Sequence, residues 1–206
     1  MRATACMLVL GALTLFGVGS ATAEIIDAIN WADEAFDYSA NVQNYGGVLM
    51  DETTEWWLTG PPDADVNGNG YAWDPEDQDT VAGWRANYPG ECIIVRWDIG
   101  IPDLPGNDVT LHLYGGPNAA ADVFASVDGS AFELVGTIGA GTPGYFRDEA
   151  FDFAALFAED VHYLKVLRTA SGPHTGMFFD ALGGVPESGS LALMGFAGLA
   201  LGRRRI

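Results

Sequence analysis

Between residues 91 and 183, apolar and polar positions alternate in short bursts, each closed by glycine, proline or aspartate. The segment DVTLHLY, residues 108–114, sets Val109, Leu111 and Leu113 against Thr110, His112 and Tyr114. That period of two turns one face of a strand to a core and the other to solvent. Val123, Ala125 and Val127 repeat it in ADVFASV. The runs GGVLM, TEWWL, ECIIVRWDI, AFELVGTI, AFDFAAL, VHYLKVL and MFFDAL read as further strands. Between them lie GIPDLPGN, GGPNAA, VDGS and GAGTPG, in which glycine and proline set the backbone of turns. Away from the two ends, only EAFDFAALFAED has a helical period, enough for one or two turns. Many short strands at regular spacing predict an all-β fold, an antiparallel β-sandwich or jelly roll.

The two ends follow a different pattern. Arg2, an apolar stretch over 7–18 and the triplet Ala21, Thr22, Ala23 fit a secretory signal peptide cut after Ala23. The stretch falls short of the roughly 20 apolar residues that a spanning helix needs, and Cys6 precedes it instead of following it. At the other end, a short apolar helix is expected over 190–201, and Arg203, Arg204 and Arg205 would hold its end on the cytoplasmic side. Such a tail suits transient insertion in the inner membrane, and Pro186 marks an accessible boundary before it. The division expected is a signal peptide over 1–23, a β-sandwich domain over 24–184 and a sorting signal over 185–206.

The tail resembles the PEP-CTERM signals of Gram-negative bacteria: Val185, Pro186 and Glu187, an apolar run, then clustered arginines, with Ser188 where that family carries a second proline. The resemblance implies an exosortase-type membrane protease as partner. It also implies delivery to the cell surface, the outer envelope or an extracellular polysaccharide matrix.

With both ends set aside, five basic residues (Arg85, Arg96, Arg147, Lys165, Arg168) face 27 of the 28 acidic ones, a formal charge near −22. A surface so acidic repels nucleic acid and anionic membranes and attracts cations, and it also keeps the chain soluble. Cys92 is the one cysteine left, so no internal disulfide is available, and the apolar run after it reads it as a small core residue.

The stretch SVDGSAFELVGTIGAGTPGY, followed by VHYLKVLR and FFDALGG, resembles galactose-binding-like, discoidin-type jelly rolls over residues 91–184. That resemblance implies an Asp-Gly turn joining two strands and a last strand that returns beside the first. It further implies a structural calcium near their meeting point, where Asp180 stands; an ordinary edge aspartate is the other reading.

The sharpest motif is DADVNGNGYAWD, residues 63–74. Asp63, Asp65 and Asn67 stand at positions one, three and five of a calcium loop, Gly68 at the turning position six, Asn69 at seven and Asp74 at twelve. Prolines on both sides exclude flanking helices, so the reading is a Ca2+ loop on irregular backbone, against a solvated acidic turn. Trp56, Trp57, Trp73 and Trp84 cluster around it in sequence. Indole faces beside carboxylates are the material of sugar-binding surfaces, although tryptophan more often fills a core. GAGTPG fits G-x-G-x-x-G, yet no helix opens after it, which leaves a loop.

No G-x-S-x-G elbow and no H-E-x-x-H helix occurs, and His112, His162 and His174 are scattered, so no catalytic residue is assigned. The sequence is read as an exported, non-enzymatic module, calcium-stabilised and a candidate for binding polysaccharide. A secreted glycan-processing enzyme using Asp or Glu residues and a ligand-free structural matrix protein are the alternatives.

Overall fold

The computed structural model describes residues 30–62, 81–85, 90–142 and 145–184. The signal segment with Ala21 and Ala23, the acidic loop with Asp63, Asp65, Asn67, Asn69, Trp73 and Asp74, and the tail with Val185, Pro186, Glu187, Arg203, Arg204 and Arg205 lie outside the described residues. Among the described residues no helix is long and apolar enough to cross a membrane.

Ten strands run in chain order: β1 (Asn30–Trp31), β2 (Glu34–Tyr38), β3 (Ala82–Trp84), β4 (Cys92–Ile101), β5 (Val109–Gly115), β6 (Ala121–Ser126), β7 (Glu133–Ile138), β8 (Arg147–Phe151), β9 (Val161–Arg168) and β10 (Met177–Gly184). They form two antiparallel sheets. The first has the order β1-β10-β5-β8, with β3 also paired to β10, and the second has β2-β4-β9-β6-β7. The described domain is thus the all-β antiparallel sandwich that the alternation predicts.

One core fills the space between the sheets. Leu111, Leu113, Met177, Phe179 and Leu182 enter it from the first sheet, and Ile93, Val95, Trp97, Leu164 and Val166 from the second. These are the alternate positions of β5, β4, β9 and β10, with the parity of β10 shifted by one residue at a bulge between Phe179 and Ala181. Buried Trp97 meets its one donor obligation by giving its indole N–H to the Asn30 carbonyl at 2.8 Å. The last strand lies beside β1, where Asn30 pairs with Gly184 and Trp31 with Gly183, and not beside β4, the first strand of the 91–184 stretch, which is in the other sheet. The VDGS turn also forms between β6 and β7. Asp128 Oδ1 accepts the N–H of Ser130 at 2.8 Å, and Gly129 takes φ of 75°, which a glycine adopts without a Cβ penalty.

Three segments depart from the sequence reading. TEWWL forms a 3-10 helix over Glu55–Leu58 instead of a strand. The cause is local: Asp51 Oδ1 accepts from the Thr53 N–H and hydroxyl at 2.9 and 2.6 Å, and the Asp51 N–H donates to Thr54 Oγ1 at 2.8 Å. That knot bends the chain before a ladder can extend. GGVLM contributes only an isolated bridge between Gln43 and Leu49. AFDFAAL ends its pairing at Phe151, and no helical turn follows, because Ala154 and Ala155 sit at φ of 55° and 59°.

Candidate functional site

Of the tryptophans singled out as sugar contacts, the structure puts Trp57 and Trp84 into the core, at 4% and 0% exposure. Trp84 packs edge-on against Phe179, with ring centroids 5.6 Å apart. Neither has a face to offer a ligand. Trp56 is half exposed and meets Trp57 edge-on, so the adjacent pair divides between solvent and core, although on a 3-10 turn and not on a strand. Cys92 is half-buried, and its N–H donates to Ser39 Oγ at 2.9 Å.

A surface carrying several aromatic rings is the outer face of the second sheet. Directly opposed residues of antiparallel strands share a face, so the register reads out the surface. Ile94 pairs with Lys165, Lys165 with Phe124 and Phe124 with Leu134. The neighbouring row runs from Glu34 through Arg96 and Tyr163 to Ser126. At the β2 edge a bulge between Ala35 and Asp37 adds Phe36, whose ring meets Tyr163 edge-on at 5.1 Å. Phe36 is 46% exposed and Leu134 52% exposed, and Lys165 Nζ lies 5.6 Å from the centre of the Phe132 ring. An apolar and aromatic band therefore crosses the sheet from Phe36 to Leu134. Polar groups border it: Arg96 holds Glu34 and Asp98, each at 3.0 Å, and Asp122 and Thr137 pair on the other side. Sequence inspection missed this band because its rings come one each from β2, β6, β9 and the approach to β7.

The outer face of the first sheet is built differently. His112 and Asp148 are a cross-strand pair of β5 and β8, with Nδ1 2.7 Å from Asp148 Oδ1. That bond holds the Asp148 carboxyl below the usual carboxylate range. Phe146 stacks on the imidazole at 5.1 Å and 13°. A bulge between Phe179 and Ala181 gives β10 one extra residue, Asp180. Its buried carboxylate faces the other side of the ring, Oδ2 lying 3.9 Å from His112 Nε2. Tyr114, Phe178 and Val81 pack beside them with Tyr45 and Phe146. Tyr114 is buried and its hydroxyl makes no hydrogen bond, so burial pushes its ionisation far upward.

A third feature closes one end of the sandwich. Asp103, Asp108 and Asp152 bring carboxylate oxygens within 4.8 Å of one another, the one group of three or more such side chains among the described residues. They come from the loops after β4 and β8, beside a cavity of about 290 Å³ lined by Leu104, Pro105, Ala154 and Ala155. All three also bind backbone. Asp108 accepts from Leu104 and Phe153 at 2.9 and 2.6 Å, Asp103 from Ala155 and Phe157 at 3.0 and 2.9 Å, and Asp152 from Ala154 at 2.6 Å. An all-oxygen set suits a hard cation, but these bonds already explain the cluster as a staple between two loops. Burial raises the Asp108 carboxyl above its ordinary value in spite of them. Asp180 stands apart from this group.

No family model and no curated protein matches the chain. Solved structures with a similar backbone include a carbohydrate-binding module, CBM32-1, from a family 31 glycoside hydrolase of Clostridium perfringens. It is 12% identical, with 75% of this chain and 97% of that chain covered and a TM-score of 0.38. A β-1,3-glucan binding CBM6 from Bacillus halodurans is 8% identical over 77% of this chain and 95% of that one, with a TM-score of 0.40. At this identity and these scores the likeness adds nothing to what the strands themselves show.

Proposed function

We propose that the protein is an exported, non-enzymatic module of the cell surface or extracellular matrix that lies against neutral polysaccharide through the outer face of its second sheet. In this reading the 63–74 loop holds a structural calcium. Residues 1–23 serve as an export signal, and the 185–206 tail is removed by an exosortase-type protease.

The observation that carries the binding reading is the band from Phe36 to Leu134, exposed at those two residues with half-buried Tyr163 and Phe124 between them, and edged by Glu34, Arg96, Asp98 and Asp122. The C–H faces of a sugar ring pack on aromatic rings, and its hydroxyls bond to flanking carboxylates and guanidinium groups. A formal charge near −22 over residues 24–186 disfavours a polyanion by repulsion, which leaves a neutral glycan as the better partner.

Affinity electrophoresis of the full chain in gels containing a soluble neutral glucan tests this. The wild type is expected to be retarded, and Phe36→Ala and Tyr163→Ala are each expected to weaken binding about 10-fold, the equivalent of about 1.4 kcal/mol. Retardation unchanged in both variants overturns the platform. Repeating the assay with calcium and then with chelator separates the calcium part, since the band and the 63–74 loop share no residue.

A further inference from the structure

We propose that His112 Nε2 and Asp180 Oδ2 are the two protein ligands of a divalent transition-metal site on the outer face of the first sheet, with Asp148 orienting the imidazole. The site lies on the other sheet from the glycan face, and stands or falls independently of it.

The argument begins with the ring. Nδ1 is committed to Asp148 at 2.7 Å, a full hydrogen bond with a carboxylate. In the neutral imidazole this places the proton on Nδ1 and turns the Nε2 lone pair toward Asp180. Histidines that bind metals are oriented in this way, the second nitrogen donating to a carboxylate that fixes tautomer and plane. Phe146, stacked at 13°, holds the same plane from one side.

The separation across the other nitrogen points to an interposed atom. At 3.9 Å, Nε2 and Oδ2 are too far apart for a hydrogen bond. Two donors that each sit about 2.1 Å from one zinc ion are about 3.4 Å apart at the tetrahedral angle and about 4.2 Å when linear. The observed gap falls within that interval, and a small rotation of the Asp180 carboxylate reaches the tetrahedral value. Alternation along β10 puts Asp180 there, since it shares parity with Phe178, which pairs with Tyr114 on the outer face, and the bulge then seats Ala181 directly opposite His112.

Donor chemistry selects the ion. One imidazole nitrogen and one carboxylate oxygen suit zinc, copper or nickel, whereas the all-oxygen cluster of Asp103, Asp108 and Asp152 suits calcium or magnesium. Asp180 is fully buried and the His112 side chain is 19% exposed, so one side of the site is open to water, which would complete the coordination. With two protein ligands the site is an open one.

The test uses the full chain, stripped with chelator and titrated with zinc chloride while the histidine side chains are followed by 1H–15N NMR. Zinc is expected to shift His112 Nε2 while Nδ1 stays protonated, and magnesium to leave both unmoved. His112→Gln and Asp180→Asn are expected to lower zinc affinity at least 10-fold, and Asp148→Asn about 10–100-fold through loss of orientation. The wild-type spectra keep the test decisive if a variant folds poorly. Zinc in excess that moves only His162 or His174, or equal zinc affinity in folded His112→Gln, would show that His112 does no more than bridge two carboxylates and would overturn the site.

Discussion

Arg168 and Glu91 form an ion pair inside the sandwich: Nη1 donates to Oε2 at 2.9 Å, with the two side chains at 0% and 7% exposure. The same guanidinium donates to the carbonyls of Arg85 at 2.7 Å and Ala170 at 3.0 Å, and to Thr175 Oγ1 at 2.6 Å. It ties the end of β9 to the residue before β4 and to two loops. Removing one partner leaves a charge buried without its counter-ion, so Glu91→Ala is expected to lose about 3–5 kcal/mol. Denaturant midpoints check this, and a loss under about 1 kcal/mol would contradict it.

The tryptophans are expected to separate by burial. Trp84→Ala empties the centre of the core and should cost about 3–5 kcal/mol. Trp56→Ala removes a ring half in water and should stay near the roughly 0.5 kcal/mol typical of surface changes. Thermal melts of the two variants give the comparison directly, and equal losses would contradict the burial pattern.

Two carboxylates carry opposite pH signatures. Burial raises Asp108 in the folded state, so its contribution is present below the unfolded pKa and lost as pH rises through the folded value. The stability difference between wild type and Asp108→Asn is therefore expected to shrink as pH climbs above the ordinary carboxylate range. Asp128 is lowered to about 2 by hydrogen bonds from the Ser130 backbone and hydroxyl and from Ala131. Its contribution is present above the ordinary value of 3.8 and lost as pH falls through about 2. An NMR titration that put the Asp128 midpoint near 4 would contradict the turn geometry.

Gly83 has no room for a side chain. A Cβ there would lie 2.1 Å from the Met177 carbonyl oxygen, a backbone atom of the paired strand. Gly83→Ala is expected to part β3 from β10 and to cost about 1–3 kcal/mol. Hydrogen exchange at the Gly83 amide, which donates to the Gln43 carbonyl at 3.0 Å beside that strand pair, reports the loosening.

The sequence by itself determined most of the strand framework from β4 onward, β8 excepted, which ends at Phe151 where the run AFDFAAL has barely begun. Alternation in DVTLHLY, ADVFASV and VHYLKVL is a local consequence of the pleat, and each of those runs is a strand. The Asp-Gly turn was legible for the same reason, since Gly129 and the side chain of Asp128 act within four residues. What escaped was either too short or decided from a distance. β1 has two residues and β3 has three, too few to show a period, and β2 is interrupted by its bulge at Phe36. TEWWL has the composition of a strand, but the bonds around Asp51 bend it into a 3-10 turn. Tertiary structure alone decided the faces. Indole chemistry pointed to Trp57 and Trp84, yet burial went to them and exposure to Phe36 and Leu134. His112 and Asp180 stand 68 positions apart in the chain, and only the pairing of β5 with β10 brings them to one face. Periodicity is a property of neighbours along the chain, whereas a surface belongs to strands that meet only when the sheets close.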